Sequence, residues 1–210
     1  MNRLRFLLAR IGGDEAALAA MGRPLGAVLA ELDGLSVALV GNARSLARGA
    51  AGSEIDAADV VIRLNGAPIP SERSHGRRTD WLAVAVAVDA GTLAARAPAR
   101  VLWMPTSLRR LPWRIARHPG FALRDPGRNA RLRGVLGAPA TTGLLVIDGL
   151  AASGMARATL WGFDFFASLS LTGRRDAGDV PHDFAAEEGY VRALLAADPR
   201  FVLSEAPGAS

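Results

Sequence analysis

Cysteine and lysine are both absent from the 210-residue chain. The missing cysteine excludes disulfides, zinc–thiolate centres and thiol catalysis, and it suits a reducing, cytoplasmic compartment. The missing lysine makes all 25 basic residues arginine, and 20 acidic residues leave a net charge of +5. Beside so much alanine, that choice reads as coding bias rather than a binding device. Arginine clusters at 109–117 and 124–133 come without a helix-turn-helix, zinc-finger or aromatic RNA-binding pattern. They are read as a solvated basic face, and nucleic acid is not expected as a partner. The three histidines, His75, His118 and His182, are too scattered to suggest a metal site from spacing, and no convincing Asp-x-Asp pair accompanies them. No metal and no cofactor are expected.

No apolar run is long enough to span a bilayer, and the N-terminal stretch MNRLRFLLARIGG lacks a signal-peptide cleavage pattern. As a helix, residues 3–11 place Leu4, Leu7, Leu8 and Ile11 on one face and Arg3 and Arg10 away from it. The expectation is that this face packs on the domain, with peripheral contact at the inner face of a membrane as the second reading.

What is present is an ordinary globular composition, 50% hydrophobic and 21% charged, with no linker dividing the chain. A helical extension over 1–33 and one domain over 34–210 are expected. Apolar runs at Leu35–Val40, Asp59–Leu64, Asp80–Val86, Arg100–Met104, Ala156–Gly162 and Arg200–Leu203 read as strands. Helical patterns lie between them at Ala43–Ala51, Asp89–Ala97, Ser107–His118, Thr142–Ser153 and Ala185–Ala197. Strands apolar throughout and separated by helices predict an α/β domain of three layers around a mostly parallel sheet. Ligands of such sheets sit beyond the carboxyl ends of the strands.

Two apolar runs end there in an amide, the first in Gly41-Asn42 and the second in Asn65-Gly66. Gly41 lets backbone N–H groups approach an anion, although GNARSLARG is neither a dinucleotide fingerprint nor a Walker loop. Asn42 and Asn65 each offer a donor and an acceptor, suited to a nucleobase edge or a ribose; alone, either would read as a loop cap. Thr141-Thr142-Gly143 precedes an apolar helical run, so a threonine can cap a helix whose N-terminus seats a phosphate or carboxylate. His182 stands beside Asp183, Glu187 and Glu188, a setting in which a histidine can take a proton near neutral pH.

Together these stretches resemble glycosyltransferase family 29, the sialyltransferases. VGN…EIDAADVVIRLNGAP is similar to its long motif, PATTGLLVIDGLAASGMARATLWGFDFF to its short motif, and His182 with Glu187 to its H-x-x-x-x-E motif, all in family order. The resemblance implies a Rossmann-like fold of modified GT-A type. It implies that Asn42 and Asn65 hold the CMP of an activated donor sugar, that Thr141, Thr142 and Gly143 bind the nucleotide or sugar acid, and that His182 is the general base. Gly76 and Thr79 are similar to the family's Gly-x-x-Thr loop. The implied partners are a CMP-sugar donor and a glycan or glycolipid acceptor. The implied reaction is metal-independent, inverting transfer of sialic acid or a related acidic sugar; transfer of Kdo from its CMP donor, or a nucleotide-binding protein of the same fold without activity, are the alternatives.

Transfer needs a base, which His182 supplies, and N–H donors for the departing phosphate, which Thr142-Gly143 with Arg174 or Arg175 supply. The chain departs from the animal enzymes in having no cysteine pair between the long and short motifs and no second histidine motif in 167–181, and a membrane anchor like theirs is not expected.

Overall fold

The computed structural model describes residues 1–66, 68–105, 107–163 and 181–204. The described strands are β1 (Arg23–Pro24), β2 (Ser36–Val40), β3 (Val60–Leu64), β4 (Trp81–Val84), β5 (Arg100–Trp103), β6 (Phe121–Leu123), β7 (Arg157–Trp161) and β8 (Phe201–Ser204). They form one sheet in the order β1-β6-β5-β4-β3-β2-β7-β8, with every pairing parallel. The described helices are α1 (Arg3–Gly12), α2 (Glu15–Ala19), α3 (Leu25–Leu29), α4 (Gly52–Ala57), α5 (Glu72–His75), α6 (Ala90–Arg96), α7 (Trp113–Ala116), α8 (Pro126–Leu136), α9 (Thr142–Ala151) and α10 (Phe184–Ala197).

The three-layer α/β reading holds because the strands are buried on both faces. Val37, Leu39, Ile62 and Leu64 join α3, α8, α9 and α10 in one core. The alternate residues Ala38, Val40 and Val61 face α4 in a second core, and Leu82, Val101 and Trp103 face α1 and α7 in a third. Residues 1–33 belong to this body: Arg23 and Pro24 pair with Ala122 and Leu123, while Phe6, Leu18 and Leu32 are fully buried.

Some expected elements differ. The segment expected as helix Ala43–Ala51 forms a 3₁₀ turn over Arg44–Arg48, and α4 begins only at Gly52. The segment expected as helix Ser107–His118 is cut at Pro112, which cannot donate within a helix, leaving a 3₁₀ turn and the four residues of α7. The arginine-rich stretch after Asp125 is α8, with Asp125 as N-cap and Pro126 at its start. Strands β1 and β6 went unread because two or three residues carry no periodic signal.

Helix α1 packs by Phe6 and Ala9, with Leu7 half-buried against the same core, while Leu4, Leu8 and Ile11 are 66%, 62% and 76% exposed. Arg10 instead lies over the Phe6 ring, 5.7 Å from its centre.

A buried polar seam crosses the sheet face carrying α4. Arg63 of β3 is 1% exposed and donates to the carbonyls of Arg78 (2.7 Å) and His75 (2.6 Å) and to the Thr79 hydroxyl (3.2 Å). Thr79 is therefore a buried partner of Arg63, fastening the loop before β4. His75 is equally buried, and burial reinforced by the Arg63 charge lowers its pKa to about 4. Its folded pKa lies below its unfolded value, so stability is present above pH 6.5 and is lost as pH falls through that window towards 4. Integrated over the shift, the loss is about 3 kcal/mol. Denaturant unfolding at pH 7 and pH 4.5 should show this fall, and His75→Gln should flatten it; an unchanged slope would remove His75 as its origin.

Candidate active site

Strand β2 is the turning point of the sheet: β3 to β6 extend on one side of it, and β7 and β8 on the other. A crevice opens at such a point beyond the carboxyl ends of the strands. The pairing Val40↔Arg63, continued by two residues, puts Asn42 and Asn65 at the same level past adjacent strands. That register is why both apolar runs end in an amide.

Asn65 turns the chain with φ 54°, a left-handed conformation that asparagine tolerates better than most residues. Its backbone N–H donates to the Ala83 carbonyl at 2.8 Å, and its side-chain oxygen accepts from the Ala85 N–H at 3.0 Å. The side chain is thus anchored on the loop after β4 through its oxygen. Asn42 is half-buried at the mouth of the crevice.

Gly41 and Gly162 pinch the crevice floor. The Gly41 N–H donates to the Trp161 carbonyl at 2.7 Å, and the Ala43 N–H to that of Gly162 at 3.2 Å. A Cβ on Gly41 would overlap the Gly162 carbonyl and meet the Phe163 ring at 3.1 Å. A Cβ on Gly143 would meet Phe163 at 2.9 Å and Leu64 at 3.4 Å. The start of α9 therefore lies against the ends of β3 and β7, next to both asparagine loops.

Thr141 caps α9 and is itself held. Its N–H and its hydroxyl both donate to the Glu187 carboxylate at 2.6 Å, while its hydroxyl oxygen accepts from the Leu144 N–H at 3.2 Å. With these groups engaged, Thr141 sets the position of the helix end. The first helical N–H groups, on Thr142 and Gly143, have no carbonyl partner inside the helix and remain for an anion. Glu187 is 6% exposed, and burial raises its pKa against the lowering effect of the Thr141 bonds and the His182 charge.

His182 precedes α10, with Asp183 as the N-cap accepting from Ala186 at 2.9 Å. Its Nδ1 lies 2.7 Å from the Pro139 carbonyl, which only accepts, so Nδ1 carries the proton and donates it. Nε2 then holds a lone pair, the tautomer that a general base requires. The Pro139 bond and the Glu187 clamp tie the histidine to α9 from two directions.

A third tie went unnoticed in the sequence. Asp148, in the middle of α9 and 2% exposed, accepts from Arg128 at 2.9 Å, from Arg131, and from the Tyr190 hydroxyl of α10 at 2.9 Å. Glu187 and Tyr190, three apart on α10, thus grip two turns of α9. An aspartate inside an otherwise apolar helix was the available signal; its arginine partners come from α8, which had not been read as a helix. Arg174 and Arg175 lie outside the described residues, as does the end of the short motif beyond Phe163.

Residues 33–94, which carry both asparagine loops, match the model of glycosyltransferase family 29 (sialyltransferase). Over that segment, 62 of the 210 residues, the chain is similar to the sialyltransferases. Among curated proteins, none matches. Several solved structures share the fold. A mammalian sialyltransferase in complex with Galβ1-3GalNAc-ortho-nitrophenol is 20% identical, with a TM-score of 0.57 over 81% of this chain and 69% of its own. A second structure titled as a mammalian sialyltransferase is also 20% identical, with a TM-score of 0.59 over the same shares. The sialyltransferase Cst-II in complex with CMP is 12% identical, with a TM-score of 0.56 over 80% of each chain. Among the described residues there is no cluster of three or more metal-ligating side chains, and no helix is long and apolar enough to cross a membrane.

The Glu187 clamp makes a separable prediction. Glu187→Gln keeps the volume but offers one acceptor oxygen where two N–H and O–H donors now end. It should cost about 1–3 kcal/mol of stability and loosen the α9 end, lowering turnover while the protein stays folded. Denaturant unfolding and turnover measured side by side check this; unchanged values in both would show the clamp to be dispensable.

Proposed function

We propose that the protein transfers a sialic acid from its CMP-activated form to a hydroxyl of a glycan or glycolipid, with inversion and without a metal ion. The observation that carries this reading is the His182 tautomer, set by Pro139, beside a capped helix N-terminus next to the two asparagine loops. Asn42 and the NH₂ group of Asn65 hold the cytidine end of the donor. The N–H groups of Thr142 and Gly143, with the positive end of the α9 dipole, receive the phosphate or the sugar carboxylate.

His182 Nε2 takes the acceptor hydroxyl proton as that oxygen bonds to the anomeric carbon from the face opposite the phosphate. The bond from anomeric carbon to phosphate oxygen breaks, and its electron pair leaves with CMP. Because CMP departs as a phosphate monoester, the helix N–H groups together with arginine can meet the growing charge. A fold of modified GT-A type is part of this proposal, supported by the likeness to a sialyltransferase structure holding CMP.

The deciding experiment is calorimetric titration with CMP in EDTA, with UMP and NAD as controls, followed by donor assays with CMP-sialic acid and CMP-Kdo. Selective CMP binding and transfer from CMP-sialic acid are expected; no CMP binding would overturn the reading.

The exposed face of α1 supports a peripheral membrane site for the same enzyme at the cytoplasmic surface. Leu4, Leu8 and Ile11 recur at helical spacing, and Arg3, Arg5 and Arg10 are present with no acidic residue on the helix. The protein should sediment with anionic liposomes, and replacing the three apolar residues by glutamine should abolish this. Binding unchanged in that variant would remove α1 from the interaction.

A further inference from the structure

We propose that the chain carries a second binding site, separate from the donor crevice, that takes an acidic sugar. The site is a cavity of about 410 Å³ beyond the carboxyl ends of β5 and β6, roofed by α2 and bordered by the end of β1. That size is ample for one hexose ring, and small-molecule sites typically span about 300–1,000 Å³.

The walls are mainly apolar, with Ala16, Ala19, Pro105 and Leu123 among them, and among the described residues two ionisable groups, Glu15 and Arg124, line the space. Arg124 is 9% exposed. Its Nε donates to the Pro105 carbonyl at 2.7 Å, but one terminal nitrogen, Nη1, is buried with no acceptor among the described residues. Burial outweighs the fields of Glu15 and Asp125, leaving the guanidinium pKa below its ordinary value. A buried cation without a paired carboxylate is costly, and an anionic group from outside would relieve that cost.

The remaining chemistry narrows the ligand. Glu15 can only accept when ionised, so it suits hydroxyl donors. Flat apolar walls suit the C–H face of a pyranose. An acid group on Arg124, hydroxyls towards Glu15 and a ring between them describe a uronate or a sugar phosphate. The site is not the donor crevice seen from another side: β6 stands four strands from β2, about 19 Å at the usual strand spacing. The N-terminal residues thereby gain a role, since α2 forms one wall.

Binding of glucuronate and of glucose 6-phosphate to the whole chain is measured by calorimetry, with glucose and inorganic phosphate as controls. Both acids should bind at least about tenfold more tightly than glucose, and Arg124→Gln should erase that advantage. Ala19→Phe, which fills the cavity while keeping the arginine, should block both acids. Thermal unfolding of each variant serves as the fold control, so the result does not depend on CMP binding or transfer. Equal affinity for glucose and glucuronate overturns the proposal. So does inorganic phosphate binding as tightly as the sugar phosphate, or acid binding that survives both substitutions. Methyl β-glucuronide distinguishes the source: binding as tight as free glucuronate assigns the site to a sugar linked within a glycan, and loss of binding assigns it to the free acid.

Discussion

His182→Ala is expected to lower transfer by about 10²–10⁴-fold, the usual contribution of a positioned general base, while CMP binding persists. The split follows from geometry. The ring is fixed through Nδ1 on the Pro139 carbonyl, so what the substitution removes is the Nε2 lone pair and one hydrogen bond at the edge of α9. The Thr141–Glu187 clamp that holds the helix end is made by other atoms. CMP calorimetry and single-turnover transfer on the same preparation read the two quantities. Full turnover in the variant would place the base elsewhere, and loss of CMP binding with turnover would make His182 a structural support of the nucleotide site.

Gly41→Ala should be the most damaging single methyl in the crevice. The new Cβ would overlap the Gly162 carbonyl, which is backbone and cannot rotate away, and would press on the Phe163 ring. Relief requires the ends of β2 and β7 to separate, breaking the 2.7 Å bond from the Gly41 N–H to the Trp161 carbonyl. A stability loss of about 1–3 kcal/mol, as for other overpacked sites, is expected, with a parallel loss of CMP affinity as Asn42 is displaced. Gly134→Ala is the contrasting case: its Cβ would meet nothing within 4 Å inside α8, so the protein should gain about 0.5–1 kcal/mol. Denaturant midpoints of the two variants separate these outcomes, and a neutral Gly41→Ala would show that the crevice floor yields easily.

The contrast between these glycines shows how far local pattern reaches. Gly41 and Gly134 are the same residue, one ending a strand and one inside an arginine-rich helix, and only their surroundings tell a pinch point from open space. Asn42 and Asn65 were legible as a pair because each follows a mostly apolar run, broken only by Arg63 in the second, and such runs end at the same edge of a parallel sheet. Their equal height above that edge depends on strand register. Thr141 was legible as a cap, but that its donors turn inward to Glu187, 46 residues later, was not. The leucine face of α1 was legible as apolar, yet the helix buries Phe6 and Ala9 in the third core, which takes only Leu7 of that face in part and leaves Leu4, Leu8 and Ile11 exposed.

By itself the sequence determined the layer architecture, the α/β class and the residue types at the site, since alternation of apolar runs and helical patterns dictates which surfaces must be buried. Only the tertiary structure decided the histidine tautomer, the grip of α10 on α9, the buried Arg63 and Arg124, and the packing of residues 1–33 on the sheet, which Arg23 and Pro24 join. Each of these rests on partners distant in the chain, brought together by strand order and register, and their energies come from burial and hydrogen-bond geometry that no local spacing encodes.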